Sequence, residues 1–275
     1  MRTLMKVRRP DAPVRRQMAV ARGVSRLCSL APACCASLVR EAHGYCREGV
    51  ACGRDTSSCR AGGQRLACGR IASPARDRVP RQRWAERFPS HSAMLATLPD
   101  RLSRPVVRRA CSGAAAGPAD AERAFLAVMA WGYGRVGYGP FRVQRILDAA
   151  PDAAVRLQAA AGELAEGGPA AAYRVLGDHG ISRLPGLGPA FGTKFLYFCS
   201  PAGGHPALIL DRLVAAWLRG NTGLAVAEGR WSARTYERYL EAMFGWADEL
   251  GVAADELESC VFAEQAGLSG SQWGE

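Results

Sequence analysis

The chain has 275 residues and a formal net charge of +11, and its 36 basic residues comprise 34 Arg and 2 Lys. Residues 1–93 hold 19 Lys+Arg and 6 Asp+Glu, a net of +13, whereas residues 94–275 hold 17 and 19, a net of −2. Any nucleic-acid binding by residues 94–275 must therefore come from local placement of charge, not from bulk charge. No run approaches the roughly 20 apolar residues of a membrane-spanning helix, so no membrane partner is expected.

Residues 1–93 show no sustained helical or strand period, and the sequence predicts that they are disordered. Seven of the ten Cys lie between residues 28 and 68, without a CxxC pair, so neither a zinc site nor a disulfide framework is indicated. Two interpretations stay open. In the first, the segment is a basic arm that adds nonspecific affinity for nucleic acid. In the second, it is not natural protein but the translation of GC-rich DNA upstream of a true start at Met94. Residues 94–117 are expected to be a linker.

From residue 118 the texture changes to repeated segments that begin with Pro, continue at helical spacing and end with Gly. These features predict an all-α, compact domain of about eight short helices over residues 118–268, followed by a disordered tail at 269–275. The helical segments are PADAERAFLAVMAWGYG (118–134), GPFRVQRILDAA (139–150), PDAAVRLQAAAGELAEG (151–167), PAAAYRVLGDHG (169–180), PALILDRLVAAWLRG (206–220), SARTYERYLEAMFGWADELG (232–251) and AADELESCVFAEQAG (253–267).

The stretch LPGLGPAFGTKFLYF, residues 184–198, predicts a helix that ends near Leu184, a tight turn, and a second helix that begins at Pro189. Such a turn exposes backbone N–H groups, and the second helix presents its positive end to a phosphate oxygen. The apolar residue between the two glycines would anchor the turn in the fold. The candidate DNA-binding residues are Gly186, Leu187, Gly188 and Ala190.

Lys194 is the one lysine outside the first 93 residues, and it lies among aromatic residues on the predicted second helix. Burial there is expected to lower the lysine pKa and to make a neutral amine available, which a guanidinium cannot do. Asp211 follows 17 residues later, just before the helical run LVAAW. It suits either a helix N-cap or a carboxylate that faces a developing positive charge.

The segments LPGLGP…K and LDRLV, with a Gly/Pro loop between them, resemble the helix-hairpin-helix, Gly/Pro…Asp superfamily of DNA glycosylases. Within it, the chain is most similar to bacterial 8-oxoguanine DNA glycosylase-like proteins. WGYGRVGYGPFRVQRIL and YLEAMFGWADELGV…LESCVF extend the resemblance, which covers roughly residues 118–265. In the eukaryotic-type enzymes the lysine lies where this chain has Ala190, so Lys194 is displaced by four residues, about one helical turn.

The resemblance implies an enzyme that binds double-stranded DNA containing an oxidised base and extrudes that base into a pocket. Lys194 would attack C1′ of the deoxyribose, Asp211 would stabilise the positive charge, and the Schiff base would permit β-elimination. The resemblance also implies a monomer in the bacterial cytoplasm, associated with the nucleoid, with no metal or cofactor. The residues expected to stack against the extruded base are Trp131, Tyr133, Phe141 and Trp246.

Other interpretations of the same residues stay open. Lys194 could be a solvated helix residue, Asp211 a cap alone, and Trp131 and Trp246 ordinary core residues. The competing class of protein is a noncatalytic helix-hairpin-helix module that binds DNA without regard to damage. A small-molecule Schiff-base enzyme is a third class, but it would need a barrel or sheet that the sequence does not offer.

Overall fold

The computed structural model describes residues 79–177 and 180–267. These residues form eleven α-helices and one 3-10 turn at Pro89–His91, with no strand, which confirms the all-α prediction. The helices are α1 Arg81–Arg87, α2 Ser92–Thr97, α3 Arg104–Cys111, α4 Pro118–Tyr133, α5 Gly139–Asp148, α6 Ala153–Glu166, α7 Gly168–Leu176, α8 Pro189–Cys199, α9 Arg212–Asn221, α10 Ala233–Leu250 and α11 Ala254–Gln265.

The centre of the molecule is α4, whose residues 124–133 are apolar on every side. Residues 124–131 of this helix are each at most 3% exposed. Helices α3, α6 and α8 pack around it, as expected for a helical segment without a polar face. The C-terminal helices form a second group, in which α11 packs on α9 and α10, while α10 packs on α7. Helix α8 packs against α3, α4, α6 and α7.

Proline and glycine set several helix boundaries as the sequence predicts. Helices α4, α5, α7 and α8 each carry a proline in the first turn, where the missing N–H costs no hydrogen bond. The Ser232 side chain accepts a hydrogen bond from the N–H of Thr235 and so caps α10. Gly251, in the left-handed conformation with φ 67°, ends that helix.

The segment PALIL, residues 206–210, was expected to begin a helix, and this expectation is wrong. Residues 206–211 are non-helical, and the helix begins only at Arg212. The cause is tertiary contacts. Side-chain hydroxyl groups at the end of α8 and on α10 form hydrogen bonds with the backbone groups that would otherwise bond within a helix. Ser200 Oγ accepts from Ala207 N–H at 2.9 Å, and Tyr236 bonds both backbone groups of Leu208.

The predicted boundaries at residues 93 and 117 are also wrong for the part that the structure describes. Residues 81–87 form α1, and its Trp84 is fully buried, with Phe88 stacked on it at 6.0 Å between ring centroids. The expected linker contains α3, which packs against α4 and α8. A helix of seven residues in an arginine-rich stretch is too short to show a recognisable helical pattern in the sequence. Its stability comes from burial. Residues 1–78 and the predicted tail at 269–275 lie outside the described residues.

Replacing Trp84 with Ala should destabilise the domain by about 3–5 kcal/mol, because it removes a large, fully buried side chain and leaves a cavity. Denaturant unfolding followed by circular dichroism would measure the loss. Trp84→Phe retains an aromatic ring, so it should lose markedly less. Equal stability of the Ala variant and the wild type would show that α1 is not part of the folded core.

No helix in residues 79–177 or 180–267 is long and apolar enough to span a bilayer.

Candidate active site

The turn at residues 185–188, called the hairpin below, joins residue 184 to α8. Leu187 N–H donates to Leu184 O at 3.1 Å, and Gly186 has φ 84°, so Pro185 and Gly186 occupy the two central positions of a type II turn. Leu187 packs against the core, as predicted. The expected helix ending near Leu184 is absent from the described residues, because α7 already ends at Leu176.

The segment before the hairpin is fixed by tertiary contacts in place of a helix. Ser182 N–H donates to Val175 O at 2.8 Å, and Arg156 Nη1 donates to Arg183 O at 2.7 Å. Leu184 is buried, whereas Arg183 and Gly186 are exposed. The hairpin is therefore at the surface, and the segment that leads into it is fixed by hydrogen bonds and by the burial of Leu184.

Lys194 and Asp211, the two predicted catalytic residues, lie together. Lys194 Nζ is 3.2 Å from Asp211 Oδ2, and the side chains are 7% and 14% exposed. Lys194 is in the middle of α8, and Asp211 is the N-cap of α9, where its Oδ1 accepts from the N–H groups of Leu213 and Val214 at 3.0 and 3.2 Å. One carboxylate oxygen thus caps the helix while the other pairs with the amine.

The pKa of the Asp211 carboxyl is the balance of opposing effects. Burial alone would raise it, but the Lys194 charge and the hydrogen bonds from Lys194, Leu213 and Val214 outweigh that effect and hold the pKa below its usual value. Asp211 is therefore a carboxylate at neutral pH. It is poised to stabilise a cation at the Lys194 position or near it.

A clamp formed by Thr193 sets the separation of the pair. The Thr193 hydroxyl accepts from Leu210 N–H at 3.2 Å, and it lies 3.0 Å from both Leu210 O and Ala190 O, one of which takes its proton. Thr193 and Leu210 directly precede Lys194 and Asp211. On α10, Tyr239 donates to Ile209 O at 2.8 Å, which holds the same segment from its other side.

Thr193→Val should destabilise the protein by roughly 2–4 kcal/mol, because it leaves the buried N–H of Leu210 without its acceptor and removes the hydrogen bond to Leu210 O or Ala190 O. Thr193→Ser keeps the hydroxyl and serves as the matched control. Urea unfolding of the three proteins measures the effect. If the Val variant is as stable as the Ser variant, the clamp contributes nothing.

An aromatic wall adjoins the amine. Lys194 Nζ lies 5.7 Å from the centroid of the Phe191 ring, and Phe191 stacks on Tyr133 at 4.6 Å. Gly132 makes this packing possible, since a Cβ there would lie 2.5 Å from the Phe191 ring. Tyr133 is half-buried, and Phe191 connects this predicted pocket residue to Lys194.

The other three predicted pocket residues lie elsewhere. Trp131 is buried edge-on against Phe198 at 4.8 Å, and Trp246 is 1% exposed on α10, so both are core residues in this structure. Contact between either indole and an extruded base would require the core to open. Phe141 is 41% exposed at the start of α5. Ala190 is half-buried in the first turn of α8, packed against the core.

Phe141 belongs to a surface that the sequence analysis did not single out. This surface, the arginine face, consists of exposed side chains from α1, the loop before α5, and α5 itself. Arg142 and Arg145 also line a cavity of about 340 Å³ together with Pro185 and Gly186 of the hairpin. The arginine face comprises Arg83, Arg87, Tyr138, Phe141, Arg142 and Arg145.

A buried charged cluster beside Tyr197 of α8 was also missed. Arg104 of α3 and Glu258 of α11 form an ion pair at 2.8 Å, and Arg104 lies over the ring of Tyr197 at 4.9 Å. A signal existed in the sequence, because Glu258 shares the helix face of Ala254 and Val261. No group of three or more His, Cys, Asp or Glu within the described ranges could hold a metal ion.

The candidate site is therefore a buried lysine–carboxylate pair on the helix that follows the hairpin, in an all-α fold. Residues 73–262 match the model of the family described as "Putative 8-oxoguanine DNA glycosylase OGG-like protein". The chain belongs to this OGG-like family. The match begins at residue 73 and so includes α1 and α3. No curated protein and no solved structure gave a match.

Proposed function

We propose that the protein is a base-excision-repair DNA glycosylase that removes 8-oxoguanine from duplex DNA, with Lys194 as the Schiff-base nucleophile. The observation that carries this proposal is the buried Lys194–Asp211 pair, 3.2 Å apart, on the helix that follows the hairpin. Membership of the OGG-like family supports DNA as the substrate. A buried amine next to a carboxylate is costly to keep as a structural element, which favours a chemical role.

The pair carries out the reaction as follows. On DNA binding, Lys194 gives a proton to water by way of the Asp211 carboxylate, and its neutral Nζ then bonds to C1′ as the bond from C1′ to N9 of the purine breaks. The electron pair goes to N9, which takes up a proton, and the Asp211 carboxylate stabilises the positive charge that develops on the sugar. Cleavage of the bond between C1′ and O4′ gives the Schiff base. Loss of a C2′ proton then expels the 3′ phosphate, and water releases the enzyme.

The surroundings of the amine suit this chemistry. Phe191 lies beside the Lys194 amine and Tyr133 stacks on Phe191, so aromatic carbon replaces water that would otherwise compete with the amine. Tyr133 is our candidate for stacking against the extruded base, since its ring is half-buried and continues the aromatic wall. The protein acts as a monomer on chromosomal DNA in the bacterial cytoplasm.

The arginine face supplies the local positive charge that residues 94–275 lack in bulk. Arg142 and Arg145 lie beside Gly186, so a DNA strand whose phosphate meets the hairpin N–H groups passes over both guanidinium groups. Tyr138 and Phe141, exposed and 5.3 Å apart, lie on the same face. We propose that this face, with Gly186, Leu187, Gly188 and Ala190 of the hairpin and α8, carries the duplex.

The double variant Arg142→Gln/Arg145→Gln should bind duplex DNA more weakly, and the slope of log K against log salt should fall by about 2, since two phosphate contacts are lost. Fluorescence anisotropy at several salt concentrations measures both quantities. Arg234→Gln/Arg238→Gln is the matched control, because these exposed arginines lie on α10. Equal slopes for the two double variants would contradict the proposed DNA path.

The second candidate function is a noncatalytic DNA-binding module. The displacement of the lysine from position 190 to position 194 favours it, because a module that had lost its chemistry would not need the usual register. Such a module would bind damaged and undamaged duplex equally and would form no covalent intermediate.

The deciding experiment incubates the full chain with a duplex that contains one 8-oxoguanine opposite cytosine, in the presence and absence of borohydride. A glycosylase with lyase activity releases the base, and borohydride converts the Schiff base into a stable protein–DNA band. An undamaged duplex of the same sequence should give neither product. Base release without a trapped band would assign attack to water. Binding without either product on several lesions would establish the module.

A further inference from the structure

The cavity beside the hairpin, about 340 Å³ in volume, has a lining of two chemical kinds. Ile146, Ala149 and Pro185 make it partly apolar, while Arg142 and Arg145 contribute two guanidinium groups. No acidic residue is among the described residues that line it. Its volume is at the lower end of the range of roughly 300–1,000 Å³ that small-molecule sites occupy. The cavity therefore suits a small ligand that is apolar on one side and anionic on the other.

Tyr138 forms an aromatic side of this cavity. It is 51% exposed, and its ring centroid is 5.3 Å from that of Phe141, with the two planes inclined at 48°. Phe141 in turn lies 5.3 Å from the guanidinium carbon of Arg87 and 6.0 Å from that of Arg145. Tyr138 is thus supported from behind and still offers an exposed ring to a ligand.

The loop before α5 fixes the position of Tyr138. Gly139 N–H donates to Val136 O at 3.1 Å, which closes the loop. Arg83 of α1 contacts the same loop, since a Cβ at Gly137 would lie 2.5 Å from Arg83 Nη1. A ring that is already held in place loses little conformational entropy when a ligand binds to it.

The duplex path proposed above accounts for the arginines of this cavity but not for its exposed ring. Phosphates are bound by charge and by N–H groups, and the bases of a duplex are paired inside it. Proteins bind unpaired bases by stacking them on an aromatic ring while basic side chains hold the backbone. Because Gly186 also lines the cavity, a base in it belongs to the strand whose phosphate meets the hairpin.

We propose that this cavity binds one unpaired base of single-stranded DNA, which stacks on Tyr138 while Arg142 and Arg145 hold the adjoining phosphates. The site is separate from the place of the lesion base beside Tyr133. It rests on the DNA path proposed above and not on the excision chemistry. The protein therefore binds single strands as well as duplexes, and a lesion in unpaired DNA is within its reach.

The test compares the binding of two labelled strands to the full chain by fluorescence anisotropy. One strand is a short oligo(dT), and the other has the same length but lacks every base, so both carry the same phosphates. Wild type should bind oligo(dT) about tenfold more tightly, as expected for one base stacked on a ring. Tyr138→Leu should lose this preference and bind the abasic strand as wild type does. Tyr138→Phe keeps the ring and is the matched control.

Two outcomes would overturn the proposal. One is equal affinity of wild type for the two strands, and the other is a Tyr138→Leu variant that still prefers oligo(dT). A third comparison excludes a site for free nucleotides. If dTMP displaces oligo(dT) at an equal concentration of nucleotide, the cavity binds single nucleotides and the strand is not its ligand.

A second variant tests the cavity without changing the ring. Ala149 is exposed at the C-terminal end of α5, so Ala149→Leu fills part of the cavity and leaves the core intact. It should weaken binding of oligo(dT) but not of the abasic strand. Arg142→Gln/Arg145→Gln should instead weaken both by similar factors. If Ala149→Leu binds oligo(dT) as wild type does, the base lies elsewhere and the proposal fails.

These assays contain no lesion, so they separate this site from the proposed function. If Tyr138→Leu loses the preference for bases but wild type releases no damaged base, the glycosylase proposal fails and this site stands. If wild type releases 8-oxoguanine but binds oligo(dT) no better than the abasic strand, this site fails and the glycosylase proposal stands.

Discussion

Lys194→Gln should abolish the trapped complex and lower the rate of base release by roughly 10³-fold or more, because the variant lacks the attacking amine. The Gln side chain is shorter than that of lysine, but its amide can still form a hydrogen bond near Asp211. Trapping on gels and release of the damaged base measured by chromatography give the two quantities. The side chain is 7% exposed, so unfolding curves must accompany both assays.

Lys6→Gln is the matched control for this variant, since Lys6 is the other lysine of the chain. It should trap as well as wild type. If Lys194→Gln still forms the covalent band, the N-terminal amine or Lys6 is the nucleophile and our assignment fails. Ala190→Lys in the Lys194→Gln background tests the register, because a lysine one helical turn nearer the hairpin starts from the position that the eukaryotic-type enzymes use.

Asp211→Asn should slow base release by about 10²–10⁴-fold, since the amide keeps the helix cap but removes the negative charge that faces the sugar cation. Asn and Asp cap helices about equally well, so the fold of α9 is expected to persist. The loss of the charged hydrogen bond to Lys194 should cost about 1.5–3 kcal/mol of stability at pH 7. Single-turnover kinetics and urea unfolding measure the two effects.

The stability difference between wild type and Asp211→Asn should depend on pH with a definite sign. The pKa of Asp211 is lower in the folded protein than its usual value of about 3.9. Its stabilising contribution is therefore fully present above pH ~4 and is lost as the pH falls through the folded pKa. Unfolding measured at pH 7, 5, 4 and 3 should show the two proteins converging only at the acidic end. If wild type and Asp211→Asn are already equally stable at pH 5, the ion pair between Lys194 and Asp211 does not stabilise the fold.

Local signals in the sequence predicted the helices and the reacting pair. Prolines in first turns and glycines after last turns are local features, so α4, α5 and α10 could be located within a few residues. Lys194 stood out because arginine is otherwise the base of this chain. That Asp211 lies beside it followed from the family resemblance and not from periodicity.

What could not be predicted depends on contacts between distant residues. PALIL is a good helical pattern, yet hydroxyls of Thr193, Ser200, Tyr236 and Tyr239 hold it open. Trp84 lies in an arginine-rich stretch whose order comes from packing on the rest of the domain. The Arg104–Glu258 pair joins residues 154 positions apart, and no local rule connects them.

The open segment at residues 206–211 also ties the active site to the cooperativity of the fold. Its amides are protected by side chains on α8 and α10, not by a ladder of its own, so Leu208 and Leu210 cannot open to solvent while Tyr236 and Thr193 stay in place. In native-state hydrogen exchange these two amides should exchange together with the amides of α10, at a free energy close to that of global unfolding. Asp211 thus belongs to one cooperative unit with the C-terminal helices. A substitution on α10 that is distant from Asp211 but promotes local unfolding of α10 should therefore also lower the activity of the site.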